Sequence, residues 1–297
     1  MHDGARIRKA VIPAAGLGTR LLPFTKTLPK EVIPIANKPL IQYAVEEAAA
    51  SGIEEVVLVT RDGRCELERY FSRDHPLEQL LELQGKDEQV QLIRRLSSLA
   101  KITTARQNRP LGLAHAVSCA RYLLDGEPFA MILPDAIIEA STPCLRQLMN
   151  CYDSRPGCYV ATREVSPDEV HRFGILDVAT VEDSQWSGRL FHVHSCLEKP
   201  SPGTAPSFYG IFGRYLFQPD IFDAIDRTPP GTGGEIQITD SLALYSQQRA
   251  VYGLLFEGIH YDAGGKLGLL QATVGYGLKD PDVGPQFRRY LSTLERS

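Results

Sequence analysis

The segment KAVIPAAGLGTRLLPFTKTLPKEVIPI, residues 9–35, joins a short apolar run to a loop that is rich in glycine and cations. The apolar run, Lys9–Ala14, is predicted to be a buried strand. Open α/β sheets bind ligands at the carboxyl ends of their strands, so the loop after this strand is the default position for a site. Between residues 16 and 39 the sequence contains several cationic residues and a single acidic residue, Glu31. The cations are Arg20, Lys26, Lys30 and Lys38. This surplus favours a polyphosphate ligand, although the same residues also fit a solvated surface loop.

Two familiar phosphate-binding loops are excluded by the order of residues. A dinucleotide-binding fingerprint, G-x-G-x-x-G, needs glycine at a third fixed position, where this chain has Leu21. A Walker A loop needs glycine directly before its lysine, and neither Lys26 nor Lys30 follows a glycine. What remains is a turn whose backbone amides can face an anion, followed by cations.

The bulk composition is that of a globular protein. The chain has 297 residues, 43% hydrophobic and 23% charged, which suffices for one large α/β domain or two small domains. With a net charge of −4 there is no overall positive field for nucleic acid. The six cysteines form no C-x-x-C pair, so we interpret them as reduced thiols, mostly buried. No apolar run approaches about 18 residues and the N-terminus lacks a signal-peptide core, so we predict no membrane association and a cytoplasmic location.

Apolar runs alternate with amphipathic segments through the first half of the chain. Strands that are apolar throughout and separated by helices are typical of a parallel sheet covered on both faces. After about Pro156 strand candidates follow one another closely, and from Lys266 the pattern is helical again, broken at residues 280–285. We therefore predict an α/β fold. It has a Rossmann-like, mostly parallel mixed sheet flanked by helices, an added small β region and a helical C-terminal tail.

The loop resembles the signature G-x-G-T-R-[LM]-x-P-x-T-x-x-x-P-K-x-x-x-P of the sugar-1-phosphate nucleotidylyltransferases. Every fixed position is present: Gly16, Gly18, Thr19, Arg20, Leu21, Pro23, Thr25, Pro29, Lys30 and Pro34. Later segments occur in order and resemble the bacterial UTP–glucose-1-phosphate uridylyltransferases, or UDP-glucose pyrophosphorylases. They are ARQNRPLGLAHAV, AMILPDAII, FGILD, LEKP, GGEIQITDSL and YDAGGKLGLLQATVGYG.

This resemblance implies a reaction and a division of the chain. A phosphate oxygen of glucose 1-phosphate attacks the α-phosphorus of UTP and pyrophosphate leaves, with Mg²⁺ as cofactor and without a covalent nucleophile. It implies one nucleotidyltransferase domain over residues 1–297. Residues 9–155 form its nucleotide-binding half, 156–262 its sugar-binding half, and 263–297 its C-terminal helices, which mediate a homodimer or homotetramer. A preference for dTTP or another sugar 1-phosphate stays open, as does a catalytically silent regulatory relative that binds nucleotide sugars.

The resemblance also assigns roles at the nucleotide end. Arg20 and Lys30 match positions that meet the triphosphate and the departing pyrophosphate, and both are catalytic candidates. Base and ribose are expected on the turn residues Ala14, Ala15, Gly16, Gly18 and Thr19. Gln107 and Gly112 match positions that contact uracil. A side-chain amide suits the donor and acceptor edge of uracil, but it suits thymine equally well.

Metal and sugar contacts are expected further along the chain. Asp135, at the end of an apolar strand, is either a helix cap or a metal ligand, and the resemblance favours a Mg²⁺ ligand together with Asp262. Glu198 and Lys199 match contacts to the sugar hydroxyls and the sugar phosphate, with Lys199 also a catalytic candidate. Gly174 matches a backbone position beside the sugar. The chain departs from the usual pattern near the expected sugar end, with glycine for asparagine at Gly265 and with two aromatics, Phe208 and Tyr209.

Overall fold

The computed structural model describes residues 6–61, 65–182, 185–186, 188–201 and 203–294, so the two ends of the predicted domain, 1–5 and 295–297, lie outside the described residues. The strands in these ranges are β1 (Lys9–Pro13), β2 (Pro34–Ile35), β3 (Lys38–Pro39), β4 (Glu55–Thr60), β5 (Lys101–Arg106), β6 (Phe129–Ile132), β7 (Ala136–Glu139), β8 (Cys158–Glu164), β9 (Gly174–Thr180), β10 (Leu190–Glu198), β11 (Tyr209–Phe217), β12 (Val251–Leu255) and β13 (Ile259–Asp262). The α-helices are α1 (Leu40–Ala50), α2 (Glu66–Phe71), α3 (His75–Leu83), α4 (Asp87–Leu96), α5 (Leu113–Cys119), α6 (Cys144–Ser154), α7 (Ile221–Arg227), α8 (Ile238–Ser246), α9 (Lys266–Lys279) and α10 (Gly284–Leu294).

A nine-stranded sheet, counted over the described residues, runs in the order β5-β4-β1-β6-β11-β8-β12-β10-β9. Strands β5, β4, β1 and β6 are parallel to their neighbours within this block. Strand β11 lies antiparallel between β6 and β8, and β10 lies antiparallel between β12 and β9. Strands β8 and β12 pair in parallel. The sheet is therefore mixed, with its continuous parallel block in the first half of the chain.

The parallel block is apolar because helices cover it. Ala10, Val11 and Ile12 of β1 are all fully buried, as expected for a strand with protein on both faces. Helix α1 begins directly after Pro39 and buries the predicted apolar stripe. The stripe consists of Leu40, Ile41, Ala44, Val45 and Ala48, and its burial confirms the helical periodicity. The helix ends at Ala50 with Ser51 as its C-cap, and the turn is completed by Gly52 with φ of 92°.

A short strand pair that the sequence did not reveal shapes the site. Strand β6 ends at Ile132, and after a brief loop β7 begins at Ala136 and pairs antiparallel with β13. The register places Asp262 opposite Ala136. Strand β6 is equally short but was recognised by its unbroken apolar run, whereas the half-buried residues of β7 and β13 give no such signal. This pair brings two distant chain segments together beside Asp135.

All six cysteines are free thiols, four of them buried. Over the part of the chain that the structure describes, no helix combines the length and the apolar character that crossing a bilayer requires.

Candidate active site

A cleft of about 520 Å³ gathers many of the predicted site residues. Those that line it are Arg20, Asp135, Gly174, Glu198, Lys199 and Asp262. They come from segments far apart in the sequence. The loop after β6, the end of β10, the start of β9 and the end of β13 each contribute. A polar cleft with several convergent charges at such a junction is the usual form of a ligand site.

Lys30 does not line this cleft but lies directly behind Asp135. It follows Pro29 and opens a short 3-10 turn, and its Nζ is 2.5 Å from Oδ2 of Asp135. Both side chains are largely buried, with exposures of 18% and 16%. Burial alone would neutralise each group, yet the opposite charge holds the pKa of Lys30 above its ordinary value and the pKa of Asp135 below its own. The pair is therefore ionised at neutral pH.

Two arginines converge on Asp262. Nη1 of Arg20 and Nη2 of Arg172 each lie 3.3 Å from its Oδ2. Arg20 also places Nη2 at 3.9 Å from Oδ2 of Asp135. Arg172 is further bound to Glu169, with 2.7 Å between Nη1 and Oε1. Each arginine is about half exposed, so these surface contacts are weak and can be exchanged for a ligand anion.

Asp135 and Asp262 are held beside one another by the backbone. The amide of Ala263 donates to the carbonyl of Asp135 over 2.8 Å, next to the β7–β13 register. No cluster of three or more His, Cys, Asp or Glu among the described residues forms an all-protein metal cage. Two neighbouring carboxylates nevertheless fit Mg²⁺, which is usually bound by one or two carboxylates plus substrate phosphates and water.

The close approach of Arg20 and Asp135 depends on Gly264. A Cβ at this position would lie 2.5 Å from Nη2 of Arg20 and 2.5 Å from Oδ2 of Asp135. Any other residue would have to displace one of these two side chains. Gly265, in contrast, has open space, with the nearest atom 3.9 Å from an added Cβ. Its nearest neighbours are Arg20 and Asp262, so the departure at Gly265 lies beside these two residues of the cleft.

Glu198 and Lys199 both reach the cleft although they are adjacent in sequence. Side chains that follow one another in a strand normally point to opposite faces. Lys199 leaves the strand with φ of 43°, in the left-handed region, and its Nζ lies 2.9 Å from Oε1 of Glu198. The other oxygen of Glu198 accepts a hydrogen bond of 2.7 Å from Thr239. Strain of this kind in a non-glycine residue is typical of functional sites.

Gly174 lies opposite Glu198 in the β9–β10 register. A Cβ here would be 3.0 Å from Oγ1 of Thr239, the hydroxyl that orients Glu198. The absence of a side chain therefore keeps the wall of the cleft open at this point.

Gln107 and Gly112 form a separate polar cluster beside the cleft. Nε2 of Gln107 donates to the carbonyl of Gly112 over 3.0 Å and lies 3.0 Å from Nδ1 of His115. Gly112 has φ of 100°, and a Cβ there would be 2.5 Å from the carbonyl oxygen of Ile236. Neither residue lines the cleft, whereas the next residue, Leu113, does. Base recognition by Gln107 and Gly112 stays a prediction.

The glycine turn is fixed by its own backbone. The amide of Ala14 donates to the carbonyl of Val59 over 2.8 Å, and Ala14 and Ala15 are buried. Gly18 has φ of 63°, and its carbonyl accepts from Thr25 over 2.8 Å. A 3-10 turn then starts at Thr19 and contains Arg20, whereas an added Cβ at Gly16 would meet nothing within 4 Å. Arg20 lines the cleft, and contacts of the turn with base and ribose stay a prediction.

Sequence reasoning missed several residues that line the cleft. They are Arg172, Tyr215, Gln237, Thr239 and His260, among others. Arg172 stands two positions before Gly174, and GEIQITD contains both Gln237 and Thr239, so proximity to recognised motifs was the available signal. Burial lowers the pKa of His260 to about 4, so this ring is neutral. The two aromatics Phe208 and Tyr209 do not line the cleft, and Tyr209 packs on Phe191 with ring centroids 4.6 Å apart.

Comparison with known proteins gives consistent matches. The sequence profile of the nucleotidyl transferase family matches residues 9–277 of this chain. Over 289 residues the chain is 43% identical to the UTP–glucose-1-phosphate uridylyltransferase of Bacillus subtilis strain 168, and the match covers 97% of each chain.

Solved structures resemble the fold over almost its whole length. A UDP-glucose pyrophosphorylase complexed with UDP-glucose is 35% identical with a TM-score of 0.84, covering 93% of this chain and 100% of that one. A UTP-bound UGPase from Acinetobacter baumannii is 35% identical with a TM-score of 0.88, covering 96% of this chain and 99% of that one.

Proposed function

We propose that this chain, which belongs to the nucleotidyl transferase family, transfers the uridylyl group of UTP to glucose 1-phosphate, giving UDP-glucose and pyrophosphate. The observation that carries the proposal is the meeting of two charged pairs at one cleft. Asp135, with Lys30 behind it, lines the cleft together with Glu198 and Lys199. The names of the similar proteins, with UTP and UDP-glucose among their ligands, support the choice of substrates.

The nucleotide end stabilises charge on the phosphates. Arg20 and Lys30 bind the triphosphate and offset the charge that grows on the departing pyrophosphate, which is where fixed cations accelerate phosphoryl-type transfer. The planar guanidinium of Arg20 carries several hydrogen-bond donors. The ammonium of Lys30 is a compact charge, and the stiff segment after Pro29 fixes its direction. Asp135 and Asp262 would hold Mg²⁺ here. The ion supplies electrostatic stabilisation of the phosphate oxygens when bound.

The sugar end orients the attacking group. Glu198 accepts hydrogen bonds from sugar hydroxyls with one oxygen while Thr239 fixes the other. Lys199, released from Glu198, meets the phosphate of glucose 1-phosphate, so that one phosphate oxygen is directed at the α-phosphorus. Attack and departure occur in line in a single displacement, without a covalent enzyme intermediate. Holding the two phosphates in this geometry accounts for a large part of the rate.

Release of pyrophosphate from a panel of substrates tests the proposal. Purified protein is incubated with UTP, dTTP, ATP or CTP and with several sugar 1-phosphates, in the presence and absence of Mg²⁺. We expect the fastest release with UTP and glucose 1-phosphate, and loss of activity without Mg²⁺. A clear preference for dTTP would replace the base assignment. A shift of the melting temperature by UTP without any turnover would indicate a silent binding protein instead.

A further inference from the structure

A buried ion pair lies behind the loop that carries Asp135. Arg214 on β11 is 2% exposed and Glu47 on α1 is 9% exposed. Nε of Arg214 is 3.1 Å from both carboxylate oxygens of Glu47, and Nη2 is 2.8 Å from Oε2. The second partner of Glu47 is the backbone amide of Leu145, 3.0 Å from Oε1, in the first turn of α6. The pair therefore joins α1, α6 and β11.

The guanidinium also holds the loop after β6. Its Nη1 donates to the carbonyl of Leu133 over 3.1 Å. The amide of Leu133 in turn donates to the carbonyl of Gly213 over 2.8 Å. Gly213 has φ of 72°, and its Cα approaches so closely that an added Cβ would be 3.0 Å from the Cβ atoms of Leu133 and Ala136. Both polar groups of the Leu133 backbone are thus bound by consecutive residues of β11.

Packing supports Leu133 but is incomplete at the next residue, Pro134. A cavity of about 70 Å³ lies against Pro134, between Glu47, Arg214 and two tyrosines, Tyr43 and Tyr276. Close packing is what normally immobilises a buried segment, and a void removes that support. The hydrogen bonds from β11 therefore contribute strongly to the placement of Leu133 and Pro134, and with them the start of Asp135.

We propose that Arg214, held by Glu47, is a positioning residue that aims the carboxylate of Asp135 into the cleft. A buried ion pair is weak evidence for stability, because apolar residues of similar volume often replace such a pair without loss. Here, instead, Arg214 of the pair binds the backbone of the loop that carries Asp135, a proposed metal ligand. Partners one shell behind a metal ligand commonly change metal affinity or activity by about 10- to 100-fold. This inference rests on the proposed role of Asp135.

Arg214→Lys is the decisive variant, because lysine keeps the charge but cannot bind Glu47 twice and reach Leu133 as well. Binding of Mn²⁺ to the protein–UTP complex is measured by electron paramagnetic resonance, and kcat and KM are measured separately. We expect Mn²⁺ affinity and kcat to fall about tenfold, with KM for glucose 1-phosphate unchanged. Arg189→Lys is the matched control, since Arg189 also binds a carbonyl and a carboxylate, those of Leu255 and Glu257, away from the cleft. It should match wild type in both measurements.

Wild-type Mn²⁺ affinity and kcat in Arg214→Lys would overturn the inference, as would an equal loss in Arg189→Lys. If Arg214→Lys does not fold, Arg214→Met combined with Glu47→Leu leaves no unpaired buried charge and takes its place. Weakened Mn²⁺ binding in this double variant supports the positioning role, and full binding refutes it. A wild-type protein that binds Mn²⁺ with UTP but turns over no substrate would contradict the proposed function and leave the Mn²⁺ comparison intact.

Discussion

The Lys30 side chain is largely buried, and its Nζ lies 2.5 Å from Oδ2 of Asp135. In the proposed reaction this contact holds the ammonium in place while the charge of the triphosphate changes. A fixed donor loses no reorganisation energy as negative charge develops, and this is the condition under which an electrostatic contact accelerates a reaction.

Lys30→Ala should lower kcat by about 10²–10³, the effect seen when one preorganised donor is removed. The same change leaves Asp135 buried without its cation, so the pKa of Asp135 should rise and protons should compete with Mg²⁺ for it as the pH falls. Steady-state kinetics at varied UTP and Mg²⁺ provide the measurement. Lys26→Ala is the control, because Lys26 is exposed and stands at a variable position of the signature. A change confined to KM for UTP would mean that Lys30 only binds the ground state.

At the scale of single residues, the sequence shows which side chains suit the chemistry of the site better than it shows where those side chains point. Spaced fixed positions selected Arg20 and Lys30, and a strand followed by an acid selected Asp135; the structure brings these three residues together, and their roles stay predictions. The backbone turns at Lys199, and this turn points two adjacent charges into one cleft. It depends on a φ of 43°, which cannot be predicted from a lysine in the sequence. Arg172 was missed because an arginine in a loop has no pattern of its own.

At the scale of secondary structure, the site residues lie at the ends of strands and helices, so the positions of these ends decide the geometry of the site. The β7–β13 pair and the start of α9 bracket Asp262 and Gly264, and neither strand of the pair is longer than four residues. Helix α1 was predictable from its periodicity, and β1 and β6 were predictable from their apolar runs. The β7–β13 pair was not, since its pairing is decided by partners distant in sequence.

Gly265 is the N-cap of α9 and provides no side-chain acceptor to the first turn. Asparagine is a good N-cap, and replacing glycine by asparagine there typically adds a few tenths of a kcal/mol. We expect Gly265→Asn to raise the free energy of unfolding by about 0.3 kcal/mol, measured by urea denaturation. Gly264→Ala next to it is the contrasting variant and should lose activity, because the added methyl displaces Arg20 or Asp135. Equal effects of the two variants on activity would contradict the geometry.

The whole molecule has an apolar surface along its C-terminal helices. Leu267 and Leu270 are neighbours on one side of α9 and are 69% and 64% exposed, and Tyr290 and Leu294 are exposed on α10. Contiguous exposed apolar groups commonly mark an interface. They support the proposal that the chain forms a homodimer or homotetramer.

Leu267→Glu combined with Leu270→Glu should lower the mass in solution, because two charges on each copy would face each other across the interface. Light scattering after size exclusion measures this against the monomer mass of 32.9 kDa. Leu83→Glu, at an 87% exposed position on α3, is the control and should leave the mass unchanged. A wild-type mass near 32.9 kDa would exclude self-association at the tested concentration.

The strand order of the whole sheet cannot be predicted from local sequence patterns. Alternation of strands and helices predicted the parallel block correctly. It did not reveal that β11, from the predicted sugar-binding half, inserts between β6 and β8 and pairs with both. Such pairings depend on long-range contacts that a periodicity scan cannot detect.

The insertion of β11 also sets the order in which the chain can be completed during synthesis. The edge of β6 that β11 covers is made early and stays without its partner while the ribosome adds the roughly 80 residues that separate the two strands. At ~5–20 residues per second this wait lasts about 4–15 s, longer than most elementary folding events. An apolar strand with an open edge is a template for pairing with other chains. We therefore expect slower translation between Ile132 and Tyr209 to increase aggregation of the nascent protein.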